Sequence, residues 1–140
     1  MRLLVTNTLA PQAYAIARAL RPHAERIVAL VEGEGFRAKL SPLCHSRLVD
    51  ATYRVPSPSE AWLSGQVTRD NTPGEAEFVS AVTDICRQER IDVIFPSWDP
   101  FVCVLSRNRE HFQRMGVTIP VPDFDTVVTA LDKHLTIKAA

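Results

Sequence analysis

The N-terminal stretch LLVTNTLAPQAYAIARALRPHAERIVALV, Leu3–Val31, carries the pattern of a βαβ unit. It opens with a short apolar run, continues with apolar residues at helical spacing from Ala13 to Leu20, and closes with a second apolar run, Ile27–Val31. Short apolar runs of this kind predict buried strands, and the spacing between them predicts an amphipathic helix. The sequence therefore predicts an α/β fold.

The same alternation continues toward the C-terminus. Three further strands are predicted, at Val49–Val55, Ile91–Phe95 and Val117–Val121. Helices are predicted to begin at three capping residues, Thr72, Asp99 and Asp123. Between them, 57–71 is predicted to be a surface loop or a frayed helix. The expected architecture is a three-layer α/β/α, Rossmann-like, mostly parallel sheet of about five strands.

Composition excludes several classes of partner. The chain has 16 basic and 16 acidic side chains in 140 residues, so no strong net charge predicts binding to nucleic acid or a membrane surface. Its longest apolar run is far shorter than the ~20 residues needed to span a bilayer, and a cytoplasmic location is expected by default. The three cysteines lack CxxC spacing and the four histidines lack metal-ligand spacing, so neither disulfides nor a metal site is predicted.

Candidate functional residues lie where the predicted parallel strands end, because ligands of such sheets bind beyond the carboxyl ends of the strands. Six residues that directly follow two of the strands are predicted to line a substrate-side surface: Thr6, Asn7, Thr8, Ser97, Trp98 and Asp99. They offer hydroxyl, amide, indole and carboxylate groups. Asp99 is also predicted to cap the helix that follows it.

Other chemistries are less well supported at these strand ends. The first loop, TNTLAP, contains no glycine, so its backbone cannot approach a pyrophosphate as a dinucleotide-binding loop does. Glu32 follows the second strand where an acid could bind ribose hydroxyls, but without the glycine loop we interpret it as a solvated acid. Cys44 and His45 are adjacent in a loop and do not predict a nucleophile with its base.

Four stretches resemble, in order and spacing, the N-terminal region of ATP-grasp ligases of the carboxylate-amine ligase or carbamoyl-phosphate synthase large-chain kind. The ending IPVP…DK is the most specific. The stretches are VTNTLAPQAYAIARAL, LCHSRLVDATYRVPSP, RIDVIFPSWDPFVCVLSRNREHF and IPVPDFDTVVTALDKHLTIKAA. The resemblance implies a pre-ATP-grasp domain over 1–122, followed at 123–140 by helices that lead into an ATP-grasp domain.

The resemblance also implies an activity for the full-length protein. ATP with Mg²⁺ would phosphorylate a carboxylate, and an amine or similar nucleophile would displace phosphate from the acyl phosphate. Lys133 matches a position that contacts nucleotide phosphates in several such families. The glycine-rich phosphate loop and the magnesium ligands of the family lie beyond this region, so the 140 residues alone are expected to be inactive and to carry no catalytic residues and no bound cofactor.

Two details of organisation and two alternatives accompany this interpretation. Asp132 is expected to cap a helix that continues into the following domain, which leaves the terminal residues poorly packed here. Homodimerisation is left open.

The first alternative is a stand-alone Rossmann-like module that binds a small molecule or nucleotide without catalysis. The second is a nicotinamide-dependent oxidoreductase domain. Measurable ligand affinity of the isolated chain would favour the first alternative.

Overall fold

A computed structural model describes residues 1–33, 41–63, 65, 67–131 and 137, apart from the side chains of residues 60 and 61. Strands and helices alternate along most of the chain, and about half of it is helical. The strands are β1 (Arg2–Val5), β2 (Arg26–Glu32), β3 (Ala51–Val55) and β4 (Val93–Phe95). The helices are α1 (Pro11–Leu20), α2 (Ser59–Leu63), α3 (Pro73–Glu89), α4 (Asp99–Arg107), α5 (Arg109–Arg114) and α6 (Phe124–Leu131).

The strands form one parallel sheet in the order β3-β2-β1-β4 among the described residues. Leu4 of β1 lies opposite Val28 of β2 on one side and opposite Ile94 of β4 on the other. The chain moves outward from β1 to β2 and β3, then returns across β1 to add β4 on its far side. The direction of strand addition therefore reverses between β1 and β4.

Alternate residues of the central strand pack into two separate apolar clusters. Leu3 and Val5 pack in one cluster with Ala13 and Ala17 of α1, whereas Leu4 packs in the other. The second cluster includes buried side chains of α3, α4 and α5: Phe78, Val82, Phe101, Val104 and Phe112. Because successive strand residues point to opposite faces, the two clusters mean that helices cover both faces of the sheet. The predicted three-layer α/β/α fold is confirmed.

Two of the three predicted helix caps are confirmed. The backbone N–H of Glu75 donates to Thr72 Oγ1 at 3.3 Å, and the N–H of Thr72 donates to the Glu75 carboxylate at 2.8 Å, which is a capping box. Asp123 accepts from the N–H of Thr126 at 2.9 Å. The prediction for Asp99 was wrong: Trp98 occupies the cap position, and Asp99 is the first residue of α4.

The fifth predicted strand is reduced to one bridge. Only Thr118 pairs, in parallel with Val93, through a 2.8 Å bond to Asp92 O and a 2.9 Å bond from Ile94 N–H. Pro120 and Pro122 follow it, and proline has no N–H to donate to a sheet. The apolar residues of the predicted strand are buried or half-buried, but the prolines prevent its sheet hydrogen bonds from continuing.

The helical chain from α4 to α5 is interrupted at Asn108. Its side-chain amide donates to the carbonyl of Val104 at 2.7 Å, which competes with the regular helical bonds. Gly116 follows α5 with φ +80°, the left-handed conformation that commonly ends a helix. The 57–71 segment contains the short helix α2.

The C-terminal region is described only in part. Helix α6 packs against α4, and its residue Val127 is buried. Asp132 and Lys133 lie outside the described residues, and Ile137 is 75% exposed. The division into 1–122 and 123–140 stays a prediction.

Candidate functional site

The candidate site lies where strand addition reverses, between the carboxyl ends of β1 and β4. Two bonds join the loops that follow these strands: the N–H of Ser97 donates to Thr6 Oγ1 at 3.2 Å, and Ser97 Oγ donates to the carbonyl of Thr6 at 2.6 Å. In open α/β sheets, ligands bind in the crevice outside the strand ends at such a reversal. The tertiary structure thus brings together two groups of predicted site residues that are about ninety positions apart in the sequence.

Two of the six predicted residues are structural rather than accessible. Thr6 is fully buried and Thr8 is 2% exposed. The carbonyl of Thr8 accepts from Ser41 Oγ at 2.8 Å, and Thr8 Oγ1 lies 3.5 Å from Cys44 Sγ. These side chains hold the first loop in place and offer no free surface to a ligand.

Asn7 has an unusual backbone conformation in this loop. Its φ is +46°, in the left-handed region that asparagine tolerates better than most residues other than glycine. Its N–H donates to a carboxylate oxygen of Glu32 at 2.5 Å, and its carbonyl accepts from the N–H of Ala10 at 3.0 Å. The loop is therefore a tight turn that is held by a hydrogen bond to Glu32 at the end of β2.

Glu32 is more closely involved in the site than the sequence suggested. Its carboxyl group is withdrawn from water at the end of β2, and this burial raises its pKa to about 7, although the hydrogen bond from Asn7 acts in the opposite direction. The interpretation of Glu32 as a solvated acid was wrong. Its place at a strand end was the available signal, and the missing glycine loop led us to discount it.

We call the surface formed at these strand ends by Asn7, Ser97, Trp98 and Asp99 the crevice, and its accessible part comes mainly from the loop after β4. Trp98 is 40% exposed, with its ring 6.0 Å from that of Phe101, and Asp99 is exposed in the first turn of α4. Ser97 and Asn7 are half-buried. An indole face, a carboxylate, an amide and a hydroxyl are suited to orienting a small polar molecule by stacking and hydrogen bonds.

The described residues contain no cluster of side chains suited to holding a metal ion. None of their His, Cys, Asp and Glu side chains gather in a group of three that could hold a metal ion. Lys133, the predicted phosphate ligand, is outside the described residues.

Membrane-spanning helices are absent from the described ranges. None of the helices there combines the length and the apolar character needed to cross a bilayer.

Comparison with known proteins gives one family match. No curated protein sequence matches the chain. Among solved structures, pantothenate synthetase from Thermus thermophilus aligns with a TM-score of 0.45 and 17% identity over 86% of this chain. The aligned region is 55% of that protein, so the chain spans about half of its length. Residues 71–120, from the capping box of α3 through β4, α4 and α5, match the PylC-like N-terminal domain, the pre-ATP-grasp domain of ATP-grasp ligases, and the expected resemblance is confirmed over that stretch.

Proposed function

We propose that this chain is the substrate-side N-terminal domain of an ATP-dependent ligase that joins a carboxylate to an amine or a similar nucleophile. The match of 71–120 to the PylC-like N-terminal domain is the observation that carries the proposal. The matched stretch contains Ser97, Trp98 and Asp99, which form the more accessible side of the crevice. The activity belongs to the full-length protein, which we place in the cytoplasm.

In the proposed reaction, ATP supplies the phosphoryl group that activates the carboxylate, and Mg²⁺ would bind the nucleotide phosphates. An oxygen of the carboxylate attacks the terminal phosphorus, ADP leaves, and the amine then attacks the acyl carbon and expels phosphate. Residues of this chain would bind and orient one of the small substrates beside Trp98 and Asp99. The phosphate and magnesium ligands would come from the following domain, with Lys133 near the nucleotide phosphates, and the 140-residue chain alone would be inactive.

Trapping of the acyl phosphate tests this function. The full-length protein is incubated with ATP, Mg²⁺, hydroxylamine and a panel of small carboxylic acids, and hydroxamate and ADP are measured. We expect hydroxamate formation with at least one acid and none with the 140-residue chain. ADP release without hydroxamate for every acid would count against an acyl-phosphate ligase.

Variants of the full-length protein then locate the substrate. Trp98→Ala and Asp99→Asn are expected to raise the KM of one organic substrate at least about tenfold, roughly 1.4 kcal/mol, while leaving the KM for ATP nearly unchanged. Gln113→Ala is the matched control, because Gln113 is exposed on α5. An equal effect of the site variants on ATP would place the nucleotide rather than the substrate in this crevice.

A further inference from the structure

The first substrate-side loop is held by hydrogen bonds from three directions. Ser97 binds Thr6 from the end of β4, and Ser41 binds the carbonyl of Thr8. Glu32 binds the N–H of Asn7 from the end of β2. Of these three anchors only Glu32 reaches the residue at the middle of the loop, and only Glu32 can gain or lose a charge.

The backbone of Asn7 needs such an anchor. A residue other than glycine with a φ of +46° is strained relative to extended or helical backbone, and it keeps that conformation only when its surroundings hold it. The bond from Asn7 N–H to the Glu32 carboxylate is 2.5 Å long, and a hydrogen bond to a charged acceptor is stronger than one to a neutral acceptor. The charged form of Glu32 therefore holds this turn more firmly than the neutral form.

We propose that Glu32 is a positioning residue of the ligase, and that its carboxylate fixes Asn7 in the substrate-side crevice and releases it on protonation. The inference rests on the proposed function, because it assigns a role within the same crevice. It gives Glu32 a role that neither the sequence nor the family match assigns, and it makes the shape of the crevice depend on pH.

The surroundings of Glu32 contain no described counter-ion. In the register with β3, Glu32 lies opposite Val55 while Arg54 lies opposite Val31, so alternation places the Arg54 side chain on the other face of the sheet. The loop that follows β1 has no charged residue from Thr6 to Ala10, and the charged residue in the first turn of α4, Asp99, is exposed. Arg37 and Lys39 follow β2 in the sequence and lie outside the described residues.

Desolvation by burial raises the pKa of Glu32 to about 7. The carboxyl is consequently charged at pH 8 and largely neutral at pH 6. Asn7 is expected to be firmly bound at the higher pH and loosely bound at the lower one, within the range in which cytoplasmic enzymes work.

The resonance of the Asn7 amide tests the inference without any substrate. In ¹⁵N-labelled chain titrated from about pH 3.5 to 9, we expect the Asn7 amide proton to shift with a midpoint near 7. Glu32→Gln should remove this shift, whereas Glu110→Gln, which changes an exposed glutamate on α5, should leave it intact. An Asn7 amide that stays still, titrates near pH 4.5, or moves equally in Glu32→Gln would overturn the proposal.

Two further variants keep the test decisive. Glu32→Asp retains the charge but shortens the side chain, so it should also weaken the Asn7 shift if Glu32→Gln does not fold. The double variant Arg37→Ala, Lys39→Ala should leave the midpoint within about half a unit. A larger rise of the midpoint would identify a cation at Glu32 and would contradict burial without a counter-ion as the cause.

Activity separates positioning from a purely structural role. In the full-length protein, Glu32→Gln should remove a step near pH 7 from the profile of kcat/KM for the organic substrate and leave the KM for ATP unchanged. An Asn7 titration with an unchanged kcat/KM profile would overturn the positioning role while leaving the ligase function intact. An Asn7 titration in a protein that forms no acyl phosphate would instead count against the proposed function alone.

Discussion

Glu75 and Arg107 form an ion pair that is almost completely withdrawn from water. Arg107 Nη1 lies 2.9 Å from a carboxylate oxygen of Glu75, and the two side chains are 7% and 6% exposed. The same carboxylate completes the capping box of α3, and the Arg107 guanidinium lies 4.7 Å from the centroid of the Phe124 ring. One pair therefore connects the start of α3, the end of α4 and the start of α6.

Removing one partner of this ion pair is expected to destabilise the fold strongly. Arg107→Leu leaves the Glu75 carboxylate buried without its cation, and we expect a loss of about 3–5 kcal/mol in the free energy of unfolding. Urea denaturation measures it. Arg114→Ala is the matched control, because the pair of Arg114 with Glu110 is exposed and should contribute less than about 1 kcal/mol.

The double variant Glu75→Leu, Arg107→Leu should recover part of that loss. It removes the Glu75 carboxylate that Arg107→Leu leaves buried without its cation. Recovery should be incomplete, because the loss of the capping box costs about 1 kcal/mol. A double variant less stable than Arg107→Leu would contradict a dominant cost of the unpaired charge.

Glu89 predicts a loss of stability in acid. Hydrogen bonds from Arg26 Nε at 2.6 Å and from the Tyr53 hydroxyl at 2.5 Å lower the pKa of the Glu89 carboxyl below its usual value. Folding therefore favours the charged form, so this contribution is present above about pH 4.5 and is lost as the pH falls further.

Comparison of variants isolates that contribution. Glu89→Gln should unfold at a lower urea concentration than the parent chain at pH 7, and the difference should shrink at pH 3.5. Glu110→Gln, in an exposed pair, is expected to change neither value appreciably. A constant deficit of Glu89→Gln at both pH values would indicate lost packing rather than lost charge.

Ionisation of Glu32 should make stability depend on pH with the opposite sign. Because its pKa is raised from 4.5 to about 7, the folded state favours the neutral form, and stability falls as the pH rises through this range. Glu32→Gln should therefore be as stable as the parent chain near pH 4.5 and more stable at pH 8. The full shift corresponds to about 3 kcal/mol, and the gain should be smaller because Glu32 retains some contact with solvent. Denaturation across this pH range measures the difference, and a Glu32→Gln chain less stable at pH 8 would refute the sign.

The three free cysteines should differ in reactivity. Burial raises the pKa of Cys86 to about 12 and that of Cys103 to about 11, whereas Cys44 is half-buried beside Thr8. In the native chain at pH 8, a disulfide reagent should modify Cys44 at least about 100-fold faster than the other two, because the thiolate is the reactive form. Cys44→Ser should abolish the fast phase, and denaturant should make all remaining thiols react. Rapid modification of Cys86 in native Cys44→Ser would contradict the burial.

Local sequence patterns predicted much of this fold because many of the interactions that form its helices and strands join residues close together in the sequence. The capping box at Thr72 and the cap at Asp123 involve residues three positions apart, so their partners are visible in the sequence. Apolar periodicity likewise located α3 and the buried strands, because burial of one face is what these elements require. The prolines after Thr118 were also visible, and greater weight on their missing N–H groups would have limited the fifth strand to a bridge.

Contacts distant in sequence were decided only by the tertiary structure. The sequence placed Thr6–Thr8 and Ser97–Asp99 at strand ends, but the order β3-β2-β1-β4 made them neighbours. Only folding moved the Glu32 carboxyl out of water and against the N–H of Asn7, since the side chain's environment depends on elements that surround it in space. The sequence by itself determined which strands and helices form and which ends of strands could carry a site. The packing of those elements determined which polar groups are held inside, which face the crevice, and which carboxylate titrates near neutral pH, because desolvation and long-range hydrogen bonds do not exist until the chain is folded.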